Sequence, residues 1–212
     1  MPKTKPGYYA VKVGRQPGIY LTWDECLAQV KGFSGSKYKK FYQRELAEAF
    51  INGKKPREIE DDQDTNKLRV WTDGSSFGNG SITARAGIGV FWGDNDPRNL
   101  SERLPGDQTN NRAEIYAVIR ALEVCKDRER MLEIMTDSMY VINAHQSWCE
   151  KWERNGWITV RKEPVKHKEL FLRMTELVRA RGSNVKMVFV RGHDGNYGNE
   201  QADQLAKMGS LR

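Results

Sequence analysis

Two alternating, apolar-rich segments of the sequence end in the same short motif, and this repetition constrains the fold more than any other feature. Residues 68–72 are followed by Asp73 and a glycine, and residues 131–136 by Asp137 and a serine. Alternation of apolar and polar residues predicts strands with one buried face. Because ligand sites form where the strands of α/β sheets end, two Thr-Asp endings indicate one shared site. An aspartate before glycine or serine also commonly forms a turn, and this is the alternative to a functional role for each of the two aspartates.

Two further acids lie on predicted helices. Glu114 shares the apolar stripe of the helix that follows residues 109–111, and Asp203 opens a final helix just after a predicted strand at 185–190. Acids in the first turn of a helix commonly stabilise that helix and have no other role, which is the alternative to a functional role for both residues. Four carboxylates brought to one sheet edge would repel one another unless a cation neutralised them. Oxygen ligands without cysteine or paired histidine suit Mg²⁺ or Mn²⁺. A pair of such ions is typical of enzymes that catalyse in-line displacement at a phosphodiester.

The chain divides at a short charged segment. Residues 53–66 contain three basic and five acidic residues, a proline and no large aromatic side chain, which is typical of a linker. Residues 67–212 alternate strands with helices and predict an α/β layer fold. Residues 7–52 predict a small domain in which Thr22 and Glu25 form the capping box of a helix. Its predicted strands are 8–13, 19–21 and 38–41, and its predicted helices are 23–30 and 44–51.

Composition indicates the kind of partner that the protein binds and the cellular compartment in which it is expected. The 212 residues include 35 Lys and Arg against 28 Asp and Glu, and the formal charge of +7 favours a polyanionic partner, with a solvated basic surface as the alternative. No apolar run approaches the ~18 residues of a membrane span, and residues 1–7 lack the apolar core of a secretory signal. Three unclustered cysteines indicate structural thiols in a reducing compartment. We therefore expect an intracellular protein of the nucleus or cytoplasm, or of the mitochondrion if an upstream start adds a leader.

Several motifs, taken in order, resemble one known family. Residues 68–206 carry TDGS at 72–75, TNNRAE at 109–114, TDS at 136–138, GH at 192–193 and GNEQAD at 198–203. In this order and spacing they resemble the type 1 ribonuclease H domain. Residues 7–51, with YAV at 9–11, TWDEC at 22–26 and YKKF at 38–41, resemble the small hybrid-binding domain that precedes it in eukaryotic-type enzymes.

The resemblance implies a fold, a reaction and its partners. The fold would be a ribonuclease H-like mixed five-stranded sheet flanked by helices, preceded by a small α+β domain of three strands and two helices. The reaction would be endonucleolytic hydrolysis of the RNA strand of an RNA–DNA hybrid, leaving 5′-phosphate and 3′-hydroxyl ends, with two Mg²⁺ ions per site or Mn²⁺ in their place. The amino-terminal domain would bind the hybrid and promote repeated cleavage. The catalytic domain would be monomeric, with self-association open to the amino-terminal domain.

The resemblance also assigns roles to individual residues. Asp73, Glu114, Asp137 and Asp203 would hold the metal ions, with Asp73 bridging them, and His193 would transfer a proton or assist product release. Contacts to the RNA strand would come from Asn79, Asn110, Asn111, Ser76 and Met139. Contacts to the DNA strand would come from Thr109, Trp148, Trp152, Tyr140 and His167. In the small domain, the contacts would come from Tyr9, Trp23, Lys39 and Lys40.

Each nucleic-acid contact has a structural alternative. Asn110 and Asn111 are also suited to helix capping, and the tryptophans to a minor core, which we expect for Trp157. Tyr9 is equally suited to core packing, since adjacent strand residues face opposite ways. Basic residues interleaved with the tryptophans nevertheless favour a sugar-phosphate track.

The sequence departs from the family pattern at one place. The family's pocket for a DNA phosphate uses a threonine, an arginine two residues before it and an asparagine. Here Thr109 is retained, but Asp107 and His167 occupy the other two positions. An acid beside a phosphate is unfavourable. We therefore expect weaker or relocated phosphate binding, with His167 contributing when it is protonated.

Three other classes of protein compete with this interpretation. A binding protein that has lost cleavage is disfavoured because all four carboxylates and the histidine are present. An integrase-like nuclease acting on DNA is disfavoured by the paired asparagines and the hybrid-binding domain. A scaffold protein would leave the two Thr-Asp strand endings unexplained.

Overall fold

The structure is a computed structural model that describes residues 7–41, 44–53, 66–78, 81, 83–192 and 195–212. These residues form two compact units, a small amino-terminal one and a larger one that carries most of the secondary structure. Most of the predicted linker at 53–66 lies outside the described residues. Among the helices that the structure describes, none combines the length and the apolar character that a membrane crossing requires.

The small unit is a three-stranded antiparallel sheet with two helices, as the sequence predicts. Its strand order is β2-β1-β3, so the first strand lies in the centre. Alternate residues of that strand face opposite sides, and both sides are covered: Ala10 packs with Phe41 and Ala47, and Val11 packs with Cys26 and Val30. The elements are β1 (Tyr8–Val13), β2 (Gly18–Tyr20), α1 (Trp23–Val30), β3 (Lys37–Phe41) and α2 (Arg44–Asn52).

The predicted capping box is present at the start of α1. The Glu25 amide donates to the Thr22 hydroxyl at 3.3 Å, and the Thr22 amide donates to the Glu25 carboxylate at 3.0 Å. Two amides that the helix itself cannot satisfy therefore gain partners. This cap fixes the point at which the chain leaves the β1–β2 hairpin.

The larger unit is built on a mixed five-stranded sheet, which confirms the predicted fold class. Its strand order is β6-β5-β4-β7-β8. The β6–β5 and β5–β4 pairs are antiparallel, whereas the β4–β7 and β7–β8 pairs are parallel. The strands are β4 (Lys67–Phe77), β5 (Arg85–Phe91), β6 (Leu100–Arg103), β7 (Met131–Thr136) and β8 (Val185–Phe189).

Helices flank this sheet and bury one contiguous apolar core with it. The helix that supplies seven residues to this core packs on β4 and β5, with its apolar stripe from Ile115 to Leu122 buried. All three cysteines, which lie within the described residues, are buried free thiols. The helices are α3 (Asn110–Val124), α4 (Met139–Asn143), α5 (Cys149–Arg154), α6 (Lys168–Arg179) and α7 (Tyr197–Ser210), and a π-helical turn, Ala144–Trp148, joins α4 to α5.

Two boundaries differ from the sequence predictions. Strand β4 does not end at Asp73 but continues to Phe77, because its antiparallel pairing with β5 extends from Trp71 to Phe77 while its parallel pairing with β7 stops at Trp71. Asp203 does not open the final helix. It lies in the second turn of α7, which begins at Tyr197.

Candidate functional site

Three carboxylates from three different elements meet at the end of β7. Asp73 lies on β4, Glu114 on α3 and Asp137 directly after β7, and each offers an oxygen within 4.8 Å of the other two. Asp73 and Glu114 are only 7% and 6% exposed. The sequence therefore predicted this convergence, and the tertiary structure produces it between residues up to 64 positions apart.

A glycine next to Asp73 allows the helix to approach the strand. A side chain at Gly74 would place its Cβ 2.5 Å from the backbone nitrogen of Glu114 and against Ala113. With hydrogen in that position, α3 lies close enough for Glu114 to reach the strand carboxylate. Thr109 caps the same helix, accepting from the Arg112 amide at 3.4 Å, and so fixes where its first turn begins.

Burial and mutual repulsion make these carboxylates difficult to ionise. Burial, then the charges of Asp137 and Asp203, raise the pKa of Asp73 to about 8. Burial, then the charges of Asp73 and Asp137, also raise the pKa of Glu114. The Glu114 Oε1 atom accepts from the Asn110 amide at 3.5 Å, whereas its Oε2 atom is buried with no hydrogen-bond partner among the described residues. An orphaned carboxylate oxygen in an all-oxygen cluster fits a hard divalent cation.

Asp203 lies beside this cluster rather than within it. It is not one of the three carboxylates that approach within 4.8 Å, and it forms an ion pair with Lys207 at 2.7 Å, one turn further along α7. Its charge nevertheless contributes to the raised pKa of Asp73. Three of the four predicted ligands are therefore assembled, and the fourth is within electrostatic range.

The predicted RNA contacts flank the cluster along the chain. Asn110 and Asn111 are the first two residues of α3, and Asn111 is exposed while Asn110 contacts Glu114. Ser76 follows Asp73 on β4, and Met139, 47% exposed, is the first residue of α4. Two predicted site residues, Asn79 and His193, lie outside the described residues.

Three of the predicted DNA contacts form an aromatic group along α4, the π-helical turn and α5. Tyr140 lies 5.8 Å from Trp148, and Trp148 lies 5.7 Å from Trp152, measured between ring centroids. Tyr140 and Trp152 also pack on the buried Phe171, so these half-buried rings belong partly to the core. Trp157 is fully a core residue, as expected.

A groove lies beside these rings. Its lining includes two tryptophans, two cations, the carboxylate of Glu163 and the apolar loop residues Ile158 and Val160, of which Val160 is fully exposed. Sequence reasoning missed Val160, because a single apolar loop residue carries no periodic signal. The two lining tryptophans are Trp148 and Trp152, and the cations are Lys151 and Arg161.

Arg112, which the sequence analysis did not single out, interacts with Thr109 and His167, two residues of the predicted phosphate pocket. The Arg112 guanidinium donates to the Pro105 carbonyl at 3.3 Å and forms an ion pair with Glu169. Burial, then the charge of Arg112, lowers the pKa of His167, which caps α6 in the left-handed conformation at φ 60°. The charged form of the imidazole, in which we expect His167 to contribute to phosphate binding, is therefore disfavoured.

The small unit presents aromatic side chains on one face of its sheet. Trp23 lies 5.8 Å from both Tyr9 and Tyr38, and the Lys40 Nζ atom lies 5.2 Å from the Tyr9 ring centroid. Lys39 points to the other face, with its Nζ atom 5.8 Å from the Phe41 ring. Tyr9 also packs against the core cluster around Val11, in agreement with the core-packing alternative, and its contact with the duplex stays a prediction.

Tyr38 completes this aromatic group and was not among the predicted contacts. It is 45% exposed and lies two residues before Lys40 on the same strand, hence on the same face. Strand alternation was the signal that could have identified it.

Comparison with known proteins assigns both units. The family model described as RNase H matches residues 65–211, and the model described as Ribonuclease H1 N-terminal domain matches residues 7–51. The chain belongs to the ribonuclease H family. Divalent metal dependence, which the family implies, agrees with the acidic cluster.

Relatives and solved structures agree with this assignment. Ribonuclease H1 of Rattus norvegicus is 35% identical, covering 96% of this chain and 89% of that protein. Ribonuclease H of Schizosaccharomyces pombe is 36% identical, covering 97% and 98%. The foamy viral protease-reverse transcriptase in complex with RNA/DNA hybrid has a TM-score of 0.58 at 25% identity, over 68% of this chain and 20% of that one. The solution structure of the PFV RNase H domain has a TM-score of 0.52 at 26% identity, over 68% and 94%.

Proposed function

We propose that this ribonuclease H is an endonuclease that hydrolyses the RNA strand of RNA–DNA hybrids and leaves 5′-phosphate and 3′-hydroxyl ends. The observation that carries the proposal is the cluster of Asp73, Glu114 and Asp137, whose oxygens approach within 4.8 Å in a ribonuclease H fold. Buried carboxylates that repel one another are stable as a group only when they share protons or a cation. Their accumulation here is costly for the fold and is explained by a catalytic role.

The cofactor of this site is Mg²⁺, with Mn²⁺ able to replace it. Asp73, Glu114 and Asp137 would hold it, and Asp203 would approach from α7. Bound Mg²⁺ supplies an activated water and charge stabilisation at the phosphodiester. Asp73 would be the central ligand, since it lies within electrostatic range of both Asp137 and Asp203. The burial of Asp73 and Glu114 keeps bulk water from screening these charges.

The remaining residues select the substrate. The amides of Asn110 and Asn111 can both donate to and accept from a 2′-hydroxyl, the group that distinguishes RNA from DNA. The tryptophan groove with its cations suits the DNA sugar-phosphate track. The aromatic face of the small unit provides a second contact with the same duplex, which raises the effective substrate concentration and favours repeated cleavage by a monomeric catalytic unit.

Cleavage of end-labelled RNA tests the proposal. Five reactions are compared: RNA–DNA hybrid, RNA duplex, single-stranded RNA, hybrid with EDTA, and duplex DNA labelled in the same way. We expect cleavage of the hybrid alone, its loss in EDTA and its loss in Asp137→Asn. Glu176→Gln, which removes an exposed α6 carboxylate paired with Arg173, is the matched control and should retain activity.

Two outcomes would refute the proposal. Tight hybrid binding without cleavage would show a binding protein in place of an enzyme. Equal cleavage of duplex DNA would favour a DNA nuclease with the same fold.

A further inference from the structure

One oxygen of Asp137 is enclosed by two residues to which the activity described above assigns no role. The side-chain amide of Asn199 donates to Asp137 Oδ2 at 3.3 Å, and Asn199 is only 3% exposed. A side chain at Gly192 would place its Cβ against the same Oδ2 atom. Asp137 Oδ2 is therefore seated between a backbone with no side chain and a buried amide.

The position of Asn199 is set by close packing of the helix start. Its neighbour Gly198 lies so close to the Trp71 ring that a Cβ there would overlap it. Trp71 is two residues before Asp73 on β4, so the first turn of α7 is held against the strand that carries the central carboxylate. This packing holds the Asn199 amide beside Asp137, and Asp203 follows one turn later on the same helix.

We infer that Asn199 is a positioning residue for metal binding that acts, together with Gly192, through Asp137. The amide holds Oδ2 and so fixes the orientation of the whole carboxylate, which would bind a divalent cation. A neutral donor suits this role because it orients the carboxylate without cancelling the charge that attracts the cation. A lysine there would neutralise the cluster, and an aspartate would add to its repulsion.

The inference rests on the proposed function, because it concerns the metal that the acidic cluster would bind. Residues that orient a metal ligand typically change metal affinity or activity by 10–100-fold when they are removed. We therefore expect Asn199→Ala to weaken Mg²⁺ binding about 10-fold. Affinity for the hybrid in EDTA should be unchanged, because the Asn199 side chain is buried.

Calorimetric titration of Mg²⁺ into the full chain tests this without relying on turnover. Wild type, Asn199→Ala and Gly192→Ala are compared, since the Gly192 variant disturbs the same oxygen without altering α7. Asn184→Ala is the matched control. The Asn184 side-chain amide donates to the Arg128 carbonyl at 3.1 Å, and Asn184 immediately precedes β8, at the end of that strand opposite to Gly192. Hybrid binding in EDTA, measured by fluorescence anisotropy, verifies that each variant is folded.

The expected result is a similar loss of Mg²⁺ affinity in Asn199→Ala and Gly192→Ala, and none in Asn184→Ala. The rate at saturating hybrid should fall in the first two variants and recover as Mg²⁺ is raised, with KM for the hybrid unchanged. Wild-type affinity in Asn199→Ala would overturn the inference and leave the proposed function intact. An equal loss in Asn184→Ala would overturn it as a general effect on folding. A wild type that binds no Mg²⁺ would overturn the proposed function as well.

Discussion

Removing the Asp73 carboxylate should stabilise the protein when no metal is bound. The pKa of this group is about 8 in the folded protein against a usual 3.8, because burial and the charges of Asp137 and Asp203 oppose its ionisation. Folding therefore favours the protonated carboxyl. The resulting penalty is absent at about pH 4, grows as the pH rises and is complete above about pH 8.

The magnitude follows from the interval between the usual pKa and the working pH. From 3.8 to 7 there are about three pH units at ~1.4 kcal/mol each, which gives a penalty of ~4 kcal/mol at pH 7. Asparagine resembles the neutral carboxyl and takes up no proton, so Asp73→Asn should recover most of this free energy of unfolding. At roughly 2–4 °C per kcal/mol, the unfolding temperature of the larger unit should rise by ~10 °C.

Differential scanning calorimetry in EDTA measures this at pH 7 and at pH 4. The increase in unfolding temperature should be large at pH 7 and nearly absent at pH 4. Asp127→Asn is the control of opposite sign, because hydrogen bonds from Arg130 lower the pKa of Asp127, and this variant should unfold at a slightly lower temperature at pH 7. The reasoning fails if Asp73→Asn unfolds at or below the wild-type temperature at pH 7, or if its advantage persists at pH 4.

Three further predictions concern other parts of the molecule. Asp107→Arg should strengthen hybrid binding and steepen its salt dependence by about one phosphate contact, and an unchanged affinity across a salt series would contradict the interpretation of this pocket. Lys40→Ala should weaken hybrid binding and reduce repeated cleavage more than Lys39→Ala does, because Lys40 lies over the aromatic face. Equal effects of the two variants in a binding assay and a processivity assay would contradict this. Thr22→Ala should lower the stability of the small unit by about 1 kcal/mol through loss of its cap, as urea unfolding would show.

Local sequence determined most of the secondary structure. The capping box of Thr22 and Glu25, the alternation in β1 and β7, and the apolar stripe of α3 each depend on residues within a few positions of one another. For the same reason the sequence identified the acidic residues of the site. The Thr-Asp pairs at 72–73 and 136–137 can be recognised in the sequence wherever their strands lie in the sheet.

Tertiary structure decided what depends on partners distant in the chain. Strand β4 continues beyond Asp73 because β5 pairs with it, and no periodicity within β4 encodes that register. The hydrogen bond from Asn199 to Asp137 joins residues 62 positions apart in the sequence. The charge of Arg112 acts on His167 across a similar separation. Such contacts arise only when helices pack on the sheet, and for that reason the acids were identifiable from sequence whereas the groups that hold them in place were not.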